Sequence, residues 1–443
     1  MIVWLYRAAW ALAQPLVRLV ARSPGKLGRT VRGRLHGGAA LSRWAASSRD
    51  TGRPLVWFHG ASVGEGRQAE AVIAELKTAR PSWQVAFTFG SSSAEGFART
   101  LPVDVAAYLP VDTMRATRAA LAALSPAAVV FAATDVWPEL VRAASARGVP
   151  VALVSANLGP ASTRRGVLAR ALLRPAYAAL DAVGAIDRRD ADGLVELGVA
   201  PGRVRVTGDS RHDAAKARAA GGDERRAGLA RLLGEGPPPV LVAGSTWPGD
   251  ERVLLAAVAR ARARHAVRLI IAPHEPGPAA LAAVERVARI ALGEAAAIRR
   301  LSDVERSAGE AGRGAAWDVC VVDRVGALFD LYALARIAYV GGGFHRAGLH
   351  SVIEPAAFGV PVLFGPRWRT SRDARLLLEA GGAAVVADVA SAAEALAAWL
   401  GNETARAAAG AAARAVVDEG AGAAARSAAL VIALAERRPA VPA

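Results

Sequence analysis

From Leu55 onward, short β-branched apolar runs alternate with longer stretches rich in Ala, Arg and Glu. Runs of strand length lie at 55–58, 84–89, 127–131, 149–155, 182–185 and 204–207, with helix-period stretches between them at 65–79, 136–146 and 188–197. Runs that are apolar at nearly every position and joined by short links predict parallel strands covered by helices on both faces. The rhythm breaks over 214–239, where Gly221-Gly222 and Pro237-Pro238-Pro239 read as a linker. It resumes with runs at 240–243, 268–272, 319–322, 337–340, 361–364 and 384–387. The expectation is an α/β chain of two Rossmann-like halves, 25–213 and 240–443. The Ala-rich stretch 391–436 is read as helices of the second half, and 302–316 as a surface loop.

The first 24 residues follow a different pattern. At ~100° per residue, Arg7, Gln14, Arg18 and Arg22 fall on one narrow stripe, with Trp4 and Trp10 on its flanks and apolar residues elsewhere. Aromatic rings on such flanks suit a headgroup boundary. Arg7 interrupts what would be the apolar centre of a signal peptide. A spanning helix would bury Arg7 or Arg18 and be kinked at Pro15. A membrane-interface helix over 1–24 is expected, with a helix packed on the protein body as the alternative.

Composition narrows the class. With 443 residues, 53% hydrophobic and 21% charged, the chain is long enough for two domains and too apolar to be disordered. Its single cysteine, Cys320, excludes a disulfide scaffold. The net charge of +16 points to a polyanionic partner, nucleic acid or an anionic membrane, although Arg-rich composition explains part of it. The arginines are scattered on helices with no aromatic-interleaved strip, which argues against nucleic acid.

Ligands in doubly wound sheets sit beyond the carboxyl ends of the strands, so the residues after each run carry the candidate chemistry. W-F-H-G-A-S-V-G-E at 57–65 is a strand end, a small-residue turn and a helix start. It offers His59, Ser62 and Gly64 to a ligand, and Glu65 is either a base or a helix-start carboxylate. The same stretch matches G-x-S-x-G, the hydrolase elbow, but no spacing identifies its Asp and His partners. Ser91 and Ser92 follow the second run as sugar or phosphate donors, or as caps. Asp135 precedes Trp137-Pro138, and Arg211 lies in G-D-S-R-H-D at 208–213. In the second half Ser245 and Thr246 follow a strand as phosphate or carboxylate donors or plain helix caps, and His274 follows the next as a nucleotide contact or an exposed loop histidine. Gly341-Gly342-Gly343 then precedes His350, Ser351 and Glu354. Consecutive glycines admit a phosphate to the backbone, and a Glu directly before Pro355 suits a ribose contact better than helix formation.

In this order the blocks resemble the Kdo transferases, which pass 3-deoxy-D-manno-octulosonic acid (Kdo) from CMP-Kdo to lipid A precursors. The resemblance runs over about 1–400. It includes W-F-H-x-x-S-V-G-E at 57–65, Y-L-P-x-D at 108–112, W-P at 137–138, and G-D-x-R-x-D at 208–213. The run G-G…H-x-x-x-E-P-A-A…P-V-L-F-G-P completes it. It implies a GT-B glycosyltransferase: two Rossmann-like domains facing an interdomain cleft, acceptor on the first and nucleotide sugar on the second. Glu65 matches the general base, with His59, Ser62, Gly64, Ser91, Ser92 and Asp135 on the acceptor side. Gly341, Gly342 and Gly343 match the phosphate site and Glu354 the ribose contact. Arg211, Ser245, Thr246, His274, His350 and Ser351 complete the donor side. The chain departs from the family pattern at Ala133, Asp135, Asn157 and Ser351.

One base without a nucleophile partner points to inverting transfer, and one Cys with no carboxylate pair at metal spacing points to metal-independent transfer; no cofactor is expected. The expected location is the cytoplasmic face of the inner membrane, with CMP-Kdo, a lipid A precursor and the anionic membrane surface as partners and no nucleic acid. The alternatives are a GT-B enzyme using a UDP-sugar, and a non-catalytic protein that binds lipid or nucleic acid.

Overall fold

The computed structural model describes residues 2–159, 162–230, 238–311 and 316–437. They divide into two compact units, 1–214 with 420–443, and 215–419.

The first unit holds seven strands: β1 (Leu55–His59), β2 (Gln84–Phe89), β3 (Val105–Tyr108), β4 (Ala128–Ala132), β5 (Val151–Ala156), β6 (Ala182–Ala185) and β7 (Val204–Val206). Their order is β3-β2-β1-β4-β5-β6-β7, and the pairings are parallel. Every residue of β1, β2, β4 and β5 is buried, which is why those runs read as continuous apolar sequence. The order reverses between β1 and β4, so a crevice opens beyond His59 and Ala132.

The second unit repeats the plan with β8 (Val240–Thr246), β9 (Arg268–Pro273), β10 (Ile298–Arg300), β11 (Val319–Val321), β12 (Ile337–Val340), β13 (Val362–Phe364) and β14 (Ala383–Val385). The order is β10-β11-β9-β8-β12-β13-β14. Here the reversal falls between β8 and β12, beyond Gly244 and Val340.

Several sequence expectations need correction. Residues 214–230 are not an open linker: the helices Ser210–Ala220 and Asp223–Ala230 occupy them, while 231–237 lie outside the described residues. The expected loop at 302–316 begins as a helix, Leu301–Ala311, whose Leu301 and Val304 are buried; 312–315 lie outside the described residues. The helix Ala423–Glu436, assigned from sequence to the second half, belongs to the first unit. Its Ala424, Ala428, Val431, Ile432 and Ala435 join the core against the helix Val63–Ala79 and one face of the first sheet.

The N-terminal segment forms two successive helices, Ile2–Arg22 and Gly25–Ser48. The arginine stripe of the first does not face outward as a whole. Arg7 Nε and Nη2 donate to the buried carboxylate of Glu139 at 2.9 and 3.1 Å, and Tyr6 donates its hydroxyl to Asp112 at 2.8 Å. Trp10 is half-buried, and the Trp4 side chain lies outside the described residues. The exposed face instead carries Leu12, Leu16 and Leu19, flanked by Arg18 and Arg22. Among the described residues no helix is long and apolar enough to cross a membrane.

Candidate functional site

Each unit gathers its candidate residues at its own reversal point. In the first, β1 ends at His59 and the chain turns through Gly60 and Ala61 into the helix Val63–Ala79. Ser62 caps that helix: its hydroxyl accepts from the Glu65 N–H at 3.3 Å, and Glu65 reaches back as in a capping box. Glu65 Oε2 accepts the N–H groups of Ala61 at 2.6 Å and Ser62 at 3.2 Å, whereas Oε1 has no partner among the described residues. Helix capping and proton acceptance are therefore compatible, each on its own oxygen. Burial, then the charge of Asp135, push the Glu65 carboxyl above its ordinary range, and the two backbone bonds offset this in part. Gly64 is exposed beside it.

His59 has a different place from the one expected. It is buried at 1% exposure and engaged on both ring nitrogens. Nδ1 faces the Thr88 carbonyl at 2.9 Å and Nε2 accepts the Trp137 indole N–H at 3.2 Å, which makes Nδ1 the protonated nitrogen. Desolvation pushes its pKa down to about 3, so the ring stays neutral. His59 positions Trp137 instead of facing a ligand. Ser91 caps the short turn Ser92–Ala94, and Ser92 bonds Thr30 and the Lys26 carbonyl of the second N-terminal helix. Both serines are thus occupied structurally.

Asp135 lies in the turn after β4 and pairs with Arg164 at 3.2 Å. The preceding Ala133, where the family pattern has a Glu, takes φ of 63°, a left-handed conformation that turns the chain sharply at the strand end. Asp112 is buried and accepts the Glu139 and Leu140 N–H groups, each at 3.0 Å, so the Y-L-P-x-D block anchors the helix that Trp137-Pro138 begins. Arg211 belongs to the first unit, where Nε and Nη2 donate to the buried Asp209 at 2.8 and 2.6 Å. Two cations were missed from sequence. Arg164 lies in a loop after β5, and Arg34, from the second N-terminal helix, stacks on Trp137 with 4.1 Å to the ring centroid.

In the second unit the organiser is Asp250, which sequence reading passed over. It is fully buried and accepts the Trp247 N–H at 2.9 Å, the Tyr339 hydroxyl at 2.7 Å and the Gly342 N–H at 2.9 Å. The Gly341 N–H is likewise taken, by the Gly244 carbonyl at 2.9 Å, which leaves Gly343 as the glycine whose N–H is unengaged among the described residues. The glycines serve close packing of backbone on backbone. A Cβ on Gly341 would lie 2.3 Å from the Ser245 carbonyl oxygen, and one on Gly342 (φ +93°) 2.1 Å from that of Gly348.

Ser245 sits at φ 53° at the end of β8. Thr246 is buried with its hydroxyl on Glu251 at 3.1 Å. His345 stacks on Trp247 at 3.8 Å and His274 stacks at 4.8 Å, while His274 also meets His350 at 4.5 Å. The Trp247 indole donates to His350 Nε2 at 3.2 Å, and burial pushes the His350 pKa down to about 4. Ser351 is half-buried just before the short helix Ile353–Ala356. Within that helix Glu354 faces Arg218 at 3.9 Å. The structure thus gathers Ser245, Thr246, His274, Gly341, Gly342, Gly343 and His350 at one strand-end crevice. Among the described residues no group of three His, Cys, Asp or Glu is arranged to hold a metal.

The family described as 3-deoxy-D-manno-octulosonic-acid transferase (kdotransferase) matches residues 37–214. The 3-deoxy-D-manno-octulosonic acid transferase of Bordetella pertussis is 32% identical over 340 residues, covering 74% of this chain and 75% of that one. That of Chlamydophila psittaci is 28% identical over 333 residues, covering 74% and 73%. Among solved structures, the UDP-GlcNAc 2-epimerase from Neisseria meningitidis bound to UDP-GlcNAc has a TM-score of 0.59 at 13% identity, covering 87% of this chain and 100% of that one. A glycosyltransferase from Rickettsia africae has a TM-score of 0.56 at 10% identity, with coverage of 87% and 100%. At such identity the structural likeness is one of fold, the GT-B kind.

Proposed function

From the premise that this chain belongs to the Kdo transferase family, we propose that it moves Kdo from CMP-Kdo to a lipid A precursor at an anionic inner-membrane surface, with Glu65 as general base. The carrying observation is the Glu65 carboxylate. It sits at the reversal point of its sheet with one oxygen tied to backbone N–H groups and the other unengaged. Its raised pKa makes it a stronger base than an exposed carboxylate.

The acceptor hydroxyl gives its proton to Glu65 Oε1 as its oxygen bonds to the anomeric carbon of Kdo. The bond from that carbon to the CMP phosphate oxygen breaks, and CMP leaves with the electron pair. A single displacement inverts the anomeric centre. Positive charge develops on the sugar and negative charge on the leaving phosphate, so fixed donors around the phosphate lower the barrier. The unengaged Gly343 N–H and the Ser245 hydroxyl are candidates for that part, and Glu354 for a ribose hydroxyl.

Two features of the first unit support the membrane part of the proposal. Leu12, Leu16 and Leu19 are 82%, 62% and 61% exposed, and Val167 and Leu168 on the helix Val167–Ala178 are 90% and 85% exposed. Burying one such side chain contributes about 1.5–3 kcal/mol, and Arg18 and Arg22 beside the leucines add attraction to anionic headgroups.

Purified protein is incubated with CMP-Kdo and a tetraacyl lipid A precursor in detergent, following CMP release and product mass. Release coupled to a Kdo mass increment, abolished by Glu65→Ala, is the expected result. Release no faster than the Glu65→Ala control would sink the proposal. Competition by UDP in place of CMP would point to a UDP-sugar donor.

A further inference from the structure

Arg34 reaches the acceptor-side crevice from outside every strand-end motif. Its guanidinium lies on the Trp137 ring, 4.1 Å from the centroid, and Trp137 is itself fixed by its bond to His59. Nε and Nη2 make long contacts to the Leu109 and Pro110 carbonyls at 3.3 and 3.4 Å. Nη1 has no partner among the described residues, and Arg34 is half-buried, not fully enclosed.

The surrounding carboxylates are committed elsewhere. Both oxygens of Asp112 accept from Tyr6, Glu139 and Leu140, and Asp135 is held by Arg164. Asp112 and Asp135 are near enough to stabilise the Arg34 charge, but burial outweighs them and pulls its pKa down. Arginine nevertheless remains charged. A half-buried cation with no ion-pair partner among the described residues is costly to hold. An arriving anion would recover that cost, and a planar guanidinium presents its edge to two oxygens at once.

We propose that Arg34 is the acceptor-recognition cation of this enzyme, presenting its guanidinium edge to a multi-oxygen anion, phosphate or carboxylate, on the incoming glycolipid. The proposal rests on the glycolipid acceptor reading above and adds the chemistry by which that acceptor is chosen. A phosphate would come from the lipid-borne disaccharide itself, and a carboxylate from a Kdo already attached to it.

Equilibrium binding without donor separates these sources and does not depend on turnover. The probes are the bisphosphorylated tetraacyl disaccharide, its dephosphorylated counterpart, and the dephosphorylated disaccharide carrying one Kdo, each in detergent. Wild type is expected to bind the phosphorylated probe at least about 10-fold tighter than the dephosphorylated one. Arg34→Gln is expected to bring that ratio to within about 3-fold of unity, with Arg34→Lys between them. If the preference is instead for the Kdo-bearing probe and is lost in Arg34→Gln, the anion is the carboxylate. An unchanged ratio in both variants overturns the proposal, as does equal weakening on all three probes, which would mean that Arg34 only braces Trp137. Should Arg34→Gln not fold, Arg34→Lys is read in its place: a ratio below that of wild type supports the proposal and an unchanged ratio overturns it. Absence of CMP release by wild type counts against Kdo transfer alone, because the binding ratios stand apart from it.

Discussion

Glu65 caps its helix and is the proposed base, two tasks that a substitution can separate. Glutamine at this position keeps a carbonyl oxygen for the capping box but cannot take a proton. Glu65→Gln is therefore expected to lower kcat by roughly 10²–10⁴-fold. A proposed base at Glu65 would work deprotonated, so kcat should rise with pH through a pKa above the ordinary carboxylate range, and the variant should lose that limb. Stability carries the opposite sign. A carboxyl whose pKa is raised by folding holds more protons folded than unfolded, so its contribution declines as pH rises through the shifted pKa. Thermal melts above that point should show Glu65→Gln at least as stable as wild type. His59 behaves conversely: depressed from 6.5 to about 3, it stabilises the fold above 6.5 and that contribution is lost as pH falls toward 3. Substituting His59→Ala leaves the Trp137 N–H without its acceptor, while the Thr88 carbonyl keeps the Gly60 N–H at 3.1 Å, so an expected loss of about 1–3 kcal/mol is measurable by urea titration.

The two N-terminal helices have one side joined to the body and another turned away from it, and mutations should tell these apart. Arg7→Ala leaves the buried Glu139 carboxylate with Arg142 alone, at 2.6 Å, and should cost about 1–3 kcal/mol in chemical denaturation. Leu16→Asp, on the open face, should change stability by less than about 0.5 kcal/mol. It should nevertheless lower the fraction of protein that sediments with anionic vesicles. If Leu16→Asp sediments like wild type, that face does not meet the bilayer. At this scale the sequence was legible where burial was uniform. The central strands are buried on both faces and read as unbroken apolar runs. Edge strands β3 and β10 passed unnoticed, because β3 is mostly half-buried and β10 reads Ile-Arg-Arg. Strand-end residues could be found for the same reason the strands could. Arg34 and Arg164 could not, since neither follows a strand directly and only the fold brings them to the crevice. The glycines were noticed, but for the wrong neighbour: their missing Cβ atoms make room for backbone, and Asp250 consumes one of their N–H groups.

Across the whole chain, the helix Ala423–Glu436 could not be assigned from its pattern, because an apolar stripe reports that a helix packs but not on which sheet. Burying its Val431 and Ile432 alone contributes about 1.5–3 kcal/mol each. A chain ending at residue 419 should therefore lose the first unit cooperatively. Intrinsic fluorescence of Trp57, Trp83 and Trp137 would report an exposed environment while the second unit still melts. The net charge of +16 predicts a salt-sensitive partner at this scale. Vesicle binding should weaken as salt rises from about 0.1 to 1 M and the screening length falls from ~10 to ~3 Å.

The placement of that last helix has a consequence for how the protein is made. The two pieces of the first unit are separated in the chain by the whole of the second, from Ala215 to Glu419. At about 5–20 residues per second, the ribosome needs on the order of 10–40 s to travel from the end of the first piece to the helix that closes it. During that interval the nascent first unit exposes the apolar surface that Ala424, Ala428, Val431 and Ile432 later cover. The second unit, continuous in sequence, can finish folding first, against the usual order of synthesis. In the nascent chain, the first unit awaits its final helix after the second unit is already complete.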